Sequence, residues 1–273
     1  MFLAQKDLYL HANLTIEINN QCFSPPEMAA ETDKTQAIVL STVPINDHSQ
    51  FVHLYTEQFG RMTCRIPLAS RGKRANLLRT MMTPMTVLDL VLKGRPSQEI
   101  RQIGEAQLLQ SPYALSASHP DKAAQCLYMA ELLAHTVREE EANPHLWDFI
   151  LSSLAVLEQC EAGWANFHLI FTCGLVAQLG FRVDTSGFES GCRFDLVEGI
   201  FTTGIISHPY YLNEESAKWF CRLLDTHYGN MDQLVLSRAG RSYLLDILLL
   251  FLDQHIPEMG HLKSVDVLKT LFE

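Results

Sequence analysis

The hydrophobic period of the chain changes from strand-like to helical at about residue 119, and that change limits the possible folds more than any other feature. Before it, apolar residues alternate with polar ones. In "FVHLYT" (51–56), Phe51, His53 and Tyr55 fall on one face and Val52 and Leu54 on the other. In "GRMTCRIPL" (60–68), Met62, Cys64 and Ile66 point one way and Arg61, Thr63 and Arg65 the other. "QFG" between the two runs supplies a turn that ends in glycine. "TQAIVLST" (35–42), "MTVLDLVLKG" (85–94) and "EIRQIGEAQLL" (99–109) read as three further strands. Five short strands in so few residues predict a small closed barrel, because closure leaves no exposed edge.

After the change the spacing is helical. "HPDKAAQCLYMAELLAHTVREE" (119–140) places Ala123, Leu127, Ala130, Leu133, Ala134 and Val137 at helical intervals, with Pro120 near the start. "PHLWDFILSSLAVLEQC" (144–160) and "GWANFHLIFTCGLVAQLGF" (163–181) repeat the pattern, and it returns in "EESAKWFCRLLDTHY" and "GRSYLLDILLLFLDQHI". Between them, residues 182–215 are rich in Gly, Ser and aromatics and read as an irregular insertion. Strands followed by helices make the fold class α+β. The expected layout is a barrel over 34–112 and an all-helical domain over 113–273. Residues 1–33 read as an extension, either a loose arm or a stretch ahead of a translation start at Met28.

Charge is segregated along the chain. The formal net charge is −10, yet residues 61–101 hold nine Lys/Arg against two acids, a local net of +7, while the other 232 residues carry a net of −17. The stretch "LASRGKRANLLRT" (68–80) supplies Arg71, Lys73, Arg74 and Arg79 with no acid among them. Arg61 and Arg65 share a face of the preceding strand. A basic loop beside a curved sheet can follow a phosphate backbone and release counterions on doing so. Phe51 and Tyr55, on an outer face, could stack bases. No residue in this pattern reads base identity. The acidic remainder would repel nucleic acid and confine it to this face.

Chemistry is harder to find. There is no H-E-x-x-H, and Gly72-Lys73 is no phosphate loop, because Pro67 stands where the first glycine belongs and Arg74 follows the lysine. "GFESG" (187–191) has its serine one place late for a nucleophile elbow. His135 and Glu139 fit a solvated helix face, and His255, Glu258 and His261 fit a structural loop better than a metal site. Seven cysteines, an odd number with no C-x-x-C pair, suit a reducing cytoplasm. "LLDILLLFL" (244–252) carries Asp246 and is too short to span a bilayer, and the N-terminus lacks the apolar core of a signal peptide. Two other readings remain open: a small-molecule enzyme whose basic loop binds a phosphorylated substrate, and an interaction module with an acidic protein partner.

The run "TQAIVLSTVPINDHSQFVHLYTEQFGRMTCRIPLASRGKR" followed by "MTPMTVLDLVLKG" resembles the N-terminal domain of RecO, the bacterial DNA repair and recombination mediator family. "FTCGLVAQLGF" is similar to the helix before that family's middle insertion. "HIPEMGHLKSVDVLKTLF" is similar to its ending, with His255, Pro257, Leu262, Lys263 and Ser264 in place. The resemblance runs from about 34 to 272. It implies an N-terminal OB-fold and a helical C-terminal domain without enzymatic activity. It implies binding of single- and double-stranded DNA, strand annealing, partnership with RecR, contact with the acidic-hydrophobic tail of the single-strand-binding protein, and help in loading RecA. Carried over, the DNA-contacting positions are Arg61, Arg65, Arg71, Lys73, Arg74 and Arg79. Arg222, Arg238, Arg241 and Lys263, near Trp219 and Phe220, are candidates for the tail. Some members carry a four-cysteine zinc module in the insertion. Here residues 182–215 contain only Cys192, so no zinc and no other cofactor is expected, and Phe194, Ile200, Phe201, Ile205 and Ile206 are expected to hold the segment.

Overall fold

The computed structural model describes residues 15–17, 32–67, 77, 80–95, 97–112, 119–181 and 183–271. The chain divides into two compact units, with the boundary between Ser111 and Pro112.

The first unit is a barrel. Its strands are β1 (Thr15–Glu17), β2 (Thr32–Asn46), β3 (Ser49–Thr56), β4 (Gly60–Pro67), β5 (Val87–Lys93) and β6 (Ile100–Gln110). β2, β3 and β4 form an antiparallel meander, β4 pairs with β6 in parallel, β6 pairs with β5, and β5 returns to β2. That cyclic order closes five strands in the OB-fold manner. The short β1, from the segment read as an extension, adds to the outside of β6.

Alternation builds the core. Val39, Val52, Leu54, Cys64, Ile66, Leu88, Leu90 and Leu92 point inward and are all but fully buried, and Leu77, Met81 and Met82 from the β4–β5 connection pack against them. Each such side chain contributes about 1.5–3 kcal/mol of burial. The β3–β4 hairpin turns through Glu57, Gln58 and Phe59 onto Gly60, whose φ of 63° is cheap only for glycine. Thr56 secures the turn, its hydroxyl donating to the Gly60 carbonyl at 2.9 Å and accepting from the Phe59 amide at 3.1 Å.

One arginine of the basic segment is spent on the barrel itself. Arg101 on β6 is 2 % exposed, pairs with Asp33 of β2 at 2.8 Å, donates to the Gly94 carbonyl at 3.1 Å and lies 5.6 Å over the Phe59 ring. Its charge serves the fold, so the segment's outward positive charge is smaller than the sequence count suggests.

The second unit contains six α-helices among the described residues: α1 (Pro120–Thr136), α2 (Pro144–Gln159), α3 (Phe167–Gln178), α4 (Glu214–Leu224), α5 (Arg238–His255) and α6 (Lys263–Leu271). Prolines open α1 and α2, and Asn143, Asn213 and Ser237 cap the first turns of α2, α4 and α5. Lys122 of α1, nearly buried, donates its ammonium to the Glu158 and Cys160 carbonyls at 3.1 and 2.7 Å and so closes the C-terminus of α2.

Inside the segment read as irregular, three strands form a small antiparallel sheet: β7 (Arg193–Asp195), β8 (Ile200–Thr202) and β9 (Tyr211–Leu212), with β7 in the middle. Phe194 anchors it, fully buried against the rings of Phe201 and Phe220, each 4.8 Å away, and of Phe251 at 6.0 Å. The expectation for Ile200 and Ile205 needs correcting. They are 52 % and 99 % exposed, so the aromatic cluster holds the segment without them. Cys192 is buried, and the Asp195 carboxylate is taken up by His208 at 3.3 Å and by the amides of Val197 and Glu198. Among the described residues no group of three His, Cys, Asp or Glu side chains gathers as a metal site. In particular, His255 donates from Nε2 to the Leu196 carbonyl at 3.0 Å while His261 stands exposed beside Asp266.

The last helix is tied to the first of its unit. Glu131 on α1 accepts from the amides of Lys263 and Ser264 at 3.1 and 2.7 Å, capping α6 from a neighbouring helix, and His135 bonds the Met259 carbonyl just before it. Burial pushes the Glu131 carboxyl up, but the bonds from Ser264 and Lys263 outweigh it and hold its pKa below the ordinary glutamate range. A depressed carboxylate stabilises the fold above its unfolded pKa, and that contribution fades as pH falls through the folded value. Glu131→Gln is therefore expected to cost about 1 kcal/mol at neutral pH and almost nothing in acid below the folded pKa. Urea unfolding of both proteins across that range checks it; a cost that stays constant with pH would remove the charge from the account.

Candidate nucleic-acid interface

The outer face of the β3–β4 hairpin is set by the same alternation that fills the core. Across the two strands Phe51 stands opposite Arg65, His53 opposite Thr63, and Tyr55 opposite Arg61. Arg61 and Arg65, four residues apart on one face, lie ~13 Å from each other along the strand. Arg65 is exposed and donates to the Ser49 hydroxyl at 3.3 Å, which steadies its stem while leaving other guanidinium donors facing outward. Arg61 is half-buried. His53 bonds Thr63 through Nδ1 at 3.0 Å, and burial, helped by Arg61, lowers its pKa, so it stays neutral at physiological pH. The positive charge of this face is therefore carried by the arginines alone.

Phe51 is half-buried and keeps part of its ring at the surface. Tyr55 does not: it is 1 % exposed, and the expectation that it stacks bases fails for lack of an open ring face. Arg71, Lys73, Arg74 and Arg79 lie outside the described residues. Lys93 at the end of β5 and Arg95 in the β5–β6 connection, both exposed, add two cations in the barrel. In OB-folds the face of the second and third strands, together with the loops joining strands one to two and four to five, is where oligonucleotides bind. Here those parts are the β3–β4 face, the Asp47–His48 turn and the β5–β6 connection. Lys93 and Arg95 were visible in the sequence as charge, but only the closed topology gives them that place.

The comparison with protein families matches both units. A model described as Recombination protein O N terminal covers residues 28–112, and one described as Recombination protein O C terminal covers residues 117–265. The chain belongs to the RecO family. Proteins named DNA repair protein RecO align along nearly their whole length. That of Bacteroides fragilis is 31 % identical over 241 residues, covering 88 % of this chain and 99 % of that protein. That of Porphyromonas gingivalis is 31 % identical over 242 residues, with 88 % and 98 % covered, and that of Azobacteroides pseudotrichonymphae 28 % over 240 residues, with 88 % and 99 % covered. RecO proteins act in DNA repair and are not enzymes, which removes the small-molecule enzyme from the alternatives. Among the described residues no helix is long and apolar enough to cross a membrane.

The four candidates for the tail do not converge. Arg222 is exposed on α4 with its guanidinium 5.5 Å over the Trp219 ring, and Trp219 lines a pocket of 560 Å³ with Val235, Leu236, Tyr243 and Leu244. Arg238 and Arg241 on α5 face a different, narrow crevice with His168 and Leu268. Arg238 donates to the Lys269 carbonyl at 2.9 Å, and Arg241 to the Leu236 carbonyl at 2.9 Å. Burial, reinforced by Arg241, pushes His168 down to about 3 and leaves it neutral. Lys263 opens α6, ~9 Å from the Lys269 end that Arg238 caps.

Proposed function

We propose that the chain is a non-enzymatic recombination mediator that works in the cytoplasm at recombinational gaps. Its barrel grips single- and double-stranded DNA and anneals complementary strands. Its helical unit meets RecR and the acidic-hydrophobic tail of the single-strand-binding protein, and the assembly helps load RecA recombinase. The observation that carries the reading is the β3–β4 face: two arginines on one side of an OB-fold hairpin, opposite a partly open phenylalanine, in a chain whose 232 residues outside 61–101 carry a net charge of −17. The basic stretch that follows β4 in the sequence adds Arg71, Lys73, Arg74 and Arg79 to the cations counted for the grip. RecO membership supports the repair role; the DNA contacts and the named partners are our reading of it.

For the tail, the pocket beside Trp219 is the best of the four candidates' surroundings, because the exposed Arg222 lies over the Trp219 ring and Val235, Leu236 and Leu244 line the cavity, with Glu215 the one acid in its wall. Arg238, Arg241 and Lys263 contribute at most long-range attraction. The reading is tested by annealing of complementary strands coated with single-strand-binding protein. Arg61→Glu with Arg65→Glu is expected to slow annealing at least tenfold while leaving the unfolding midpoint in place. Annealing at the wild-type rate by that variant would take the β3–β4 face out of the mechanism.

A further inference from the structure

A second groove, on the helical unit, has the opposite electrostatic character. It lies between α5 and α6 and measures 470 Å³. On α5 the residues that line it are Asp246, Leu249, Leu250 and Asp253, at the i, i+3, i+4, i+7 spacing of a single helix face. Two leucines are thus bracketed by an aspartate one turn on either side. α6 contributes Val265, Asp266 and the cation Lys269. Leu250 is 39 % exposed, an unusual amount for a leucine in the middle of a helix whose other face fills the core.

The charges are not balanced. Asp246 is paired with Lys269 at 2.6 Å, and Asp266 has the exposed His261 at 3.4 Å. Asp253 has no basic partner among the described residues. The groove thus presents an apolar floor between carboxylates whose positive partners are too few. Nucleic acid and an acidic tail are both repelled there, so the groove serves neither contact of the proposed function.

We propose that the α5–α6 groove docks a basic amphipathic helix of a partner protein, whose apolar side chains rest on Leu249, Leu250 and Val265 and whose Lys or Arg residues pair with Asp253 and Asp266. This is helix-in-groove recognition, with apolar anchors for affinity and charge for orientation. The inference stands apart from the DNA reading and uses none of its residues.

The test uses the full chain and a fluorescein-labelled amphipathic peptide of leucine and lysine at helical spacing, followed by polarisation. Asp253→Asn with Asp266→Asn is expected to weaken binding about tenfold, and Leu250→Ser by a similar factor. A control with the same change in charge, Glu139→Gln with Glu140→Gln on an exposed segment, should leave affinity within about twofold. Unchanged melting midpoints establish that the variants fold. Equal loss in the control would show that the peptide responds to the net charge of −10 and would overturn the proposal. So would binding indifferent to Leu250→Ser. Wild-type self-association abolished by the groove variant would assign the groove to a second copy of this chain and overturn it as well.

Discussion

A variant carrying Arg71→Glu, Lys73→Glu and Arg74→Glu is expected to lose about half of the salt dependence of single-strand binding. Each phosphate neutralised on a single strand contributes about 0.7 to the slope of log affinity against log salt. If Arg61, Arg65, Arg71, Lys73, Arg74 and Arg79 each hold one phosphate, the wild-type slope is about −4, and affinity falls about 300-fold between about 50 and 200 mM salt. Removing three contacts leaves a slope of about −2 and a fall of about 20-fold over the same range. Arg61→Glu with Arg65→Glu should separately take about 1.4 from the slope, which isolates the barrel face from the loop. The measurement is fluorescence polarisation of a labelled oligonucleotide over a salt series. A slope unchanged in both variants would move the DNA elsewhere on the chain. His53 should add nothing near neutral pH, since its lowered pKa keeps it uncharged.

Phe194→Ala should produce the largest loss of stability in the helical unit, about 3–5 kcal/mol. The ring is fully enclosed by Phe201, Phe220 and Phe251, which come from the small sheet, α4 and α5, so its removal opens a cavity where three elements meet. For a unit of this size the melting midpoint should drop by about 10 °C. Phe194→Leu, which keeps most of the volume, should cost less than about 1.5 kcal/mol. A chelator should leave the midpoint of the wild type where it is, because the segment is held by rings. Calorimetry with and without EDTA separates the two accounts: a fall with chelator as large as that of Phe194→Ala would put a metal in the segment.

What could be read from the sequence followed from period and charge. The β3 and β4 alternation placed Arg61, Thr63 and Arg65 on one face and Met62, Cys64 and Ile66 on the other, and the barrel has them so. Tyr55 shows the limit of that reasoning. Alternation names the face of a side chain but not what covers the face, and Tyr55 is covered. Arg101 shows another. Along the sequence it is one more cation in a basic run; its partner Asp33 is brought to it only by the closed barrel. Arg238 and Arg241 read as surface charge, whereas their guanidinium groups serve the carbonyls of Lys269 and Leu236. In the insertion, strands of three, three and two residues are too short to show any period, so the sheet had no signature to read.

The clasp between Glu131 and the first turn of α6 has a consequence for how the chain is made. Its two ends are 133 residues apart, whereas the barrel is complete by Gln110. At a synthesis rate of about 5–20 residues per second, α1 waits roughly 7 to 27 s after it is made before its partner helix exists. During that interval the apolar surface of α1 that α6 later covers stands open in the nascent polypeptide. The barrel can thus reach its native form on the ribosome, while the helical unit keeps that surface open until its final helix arrives.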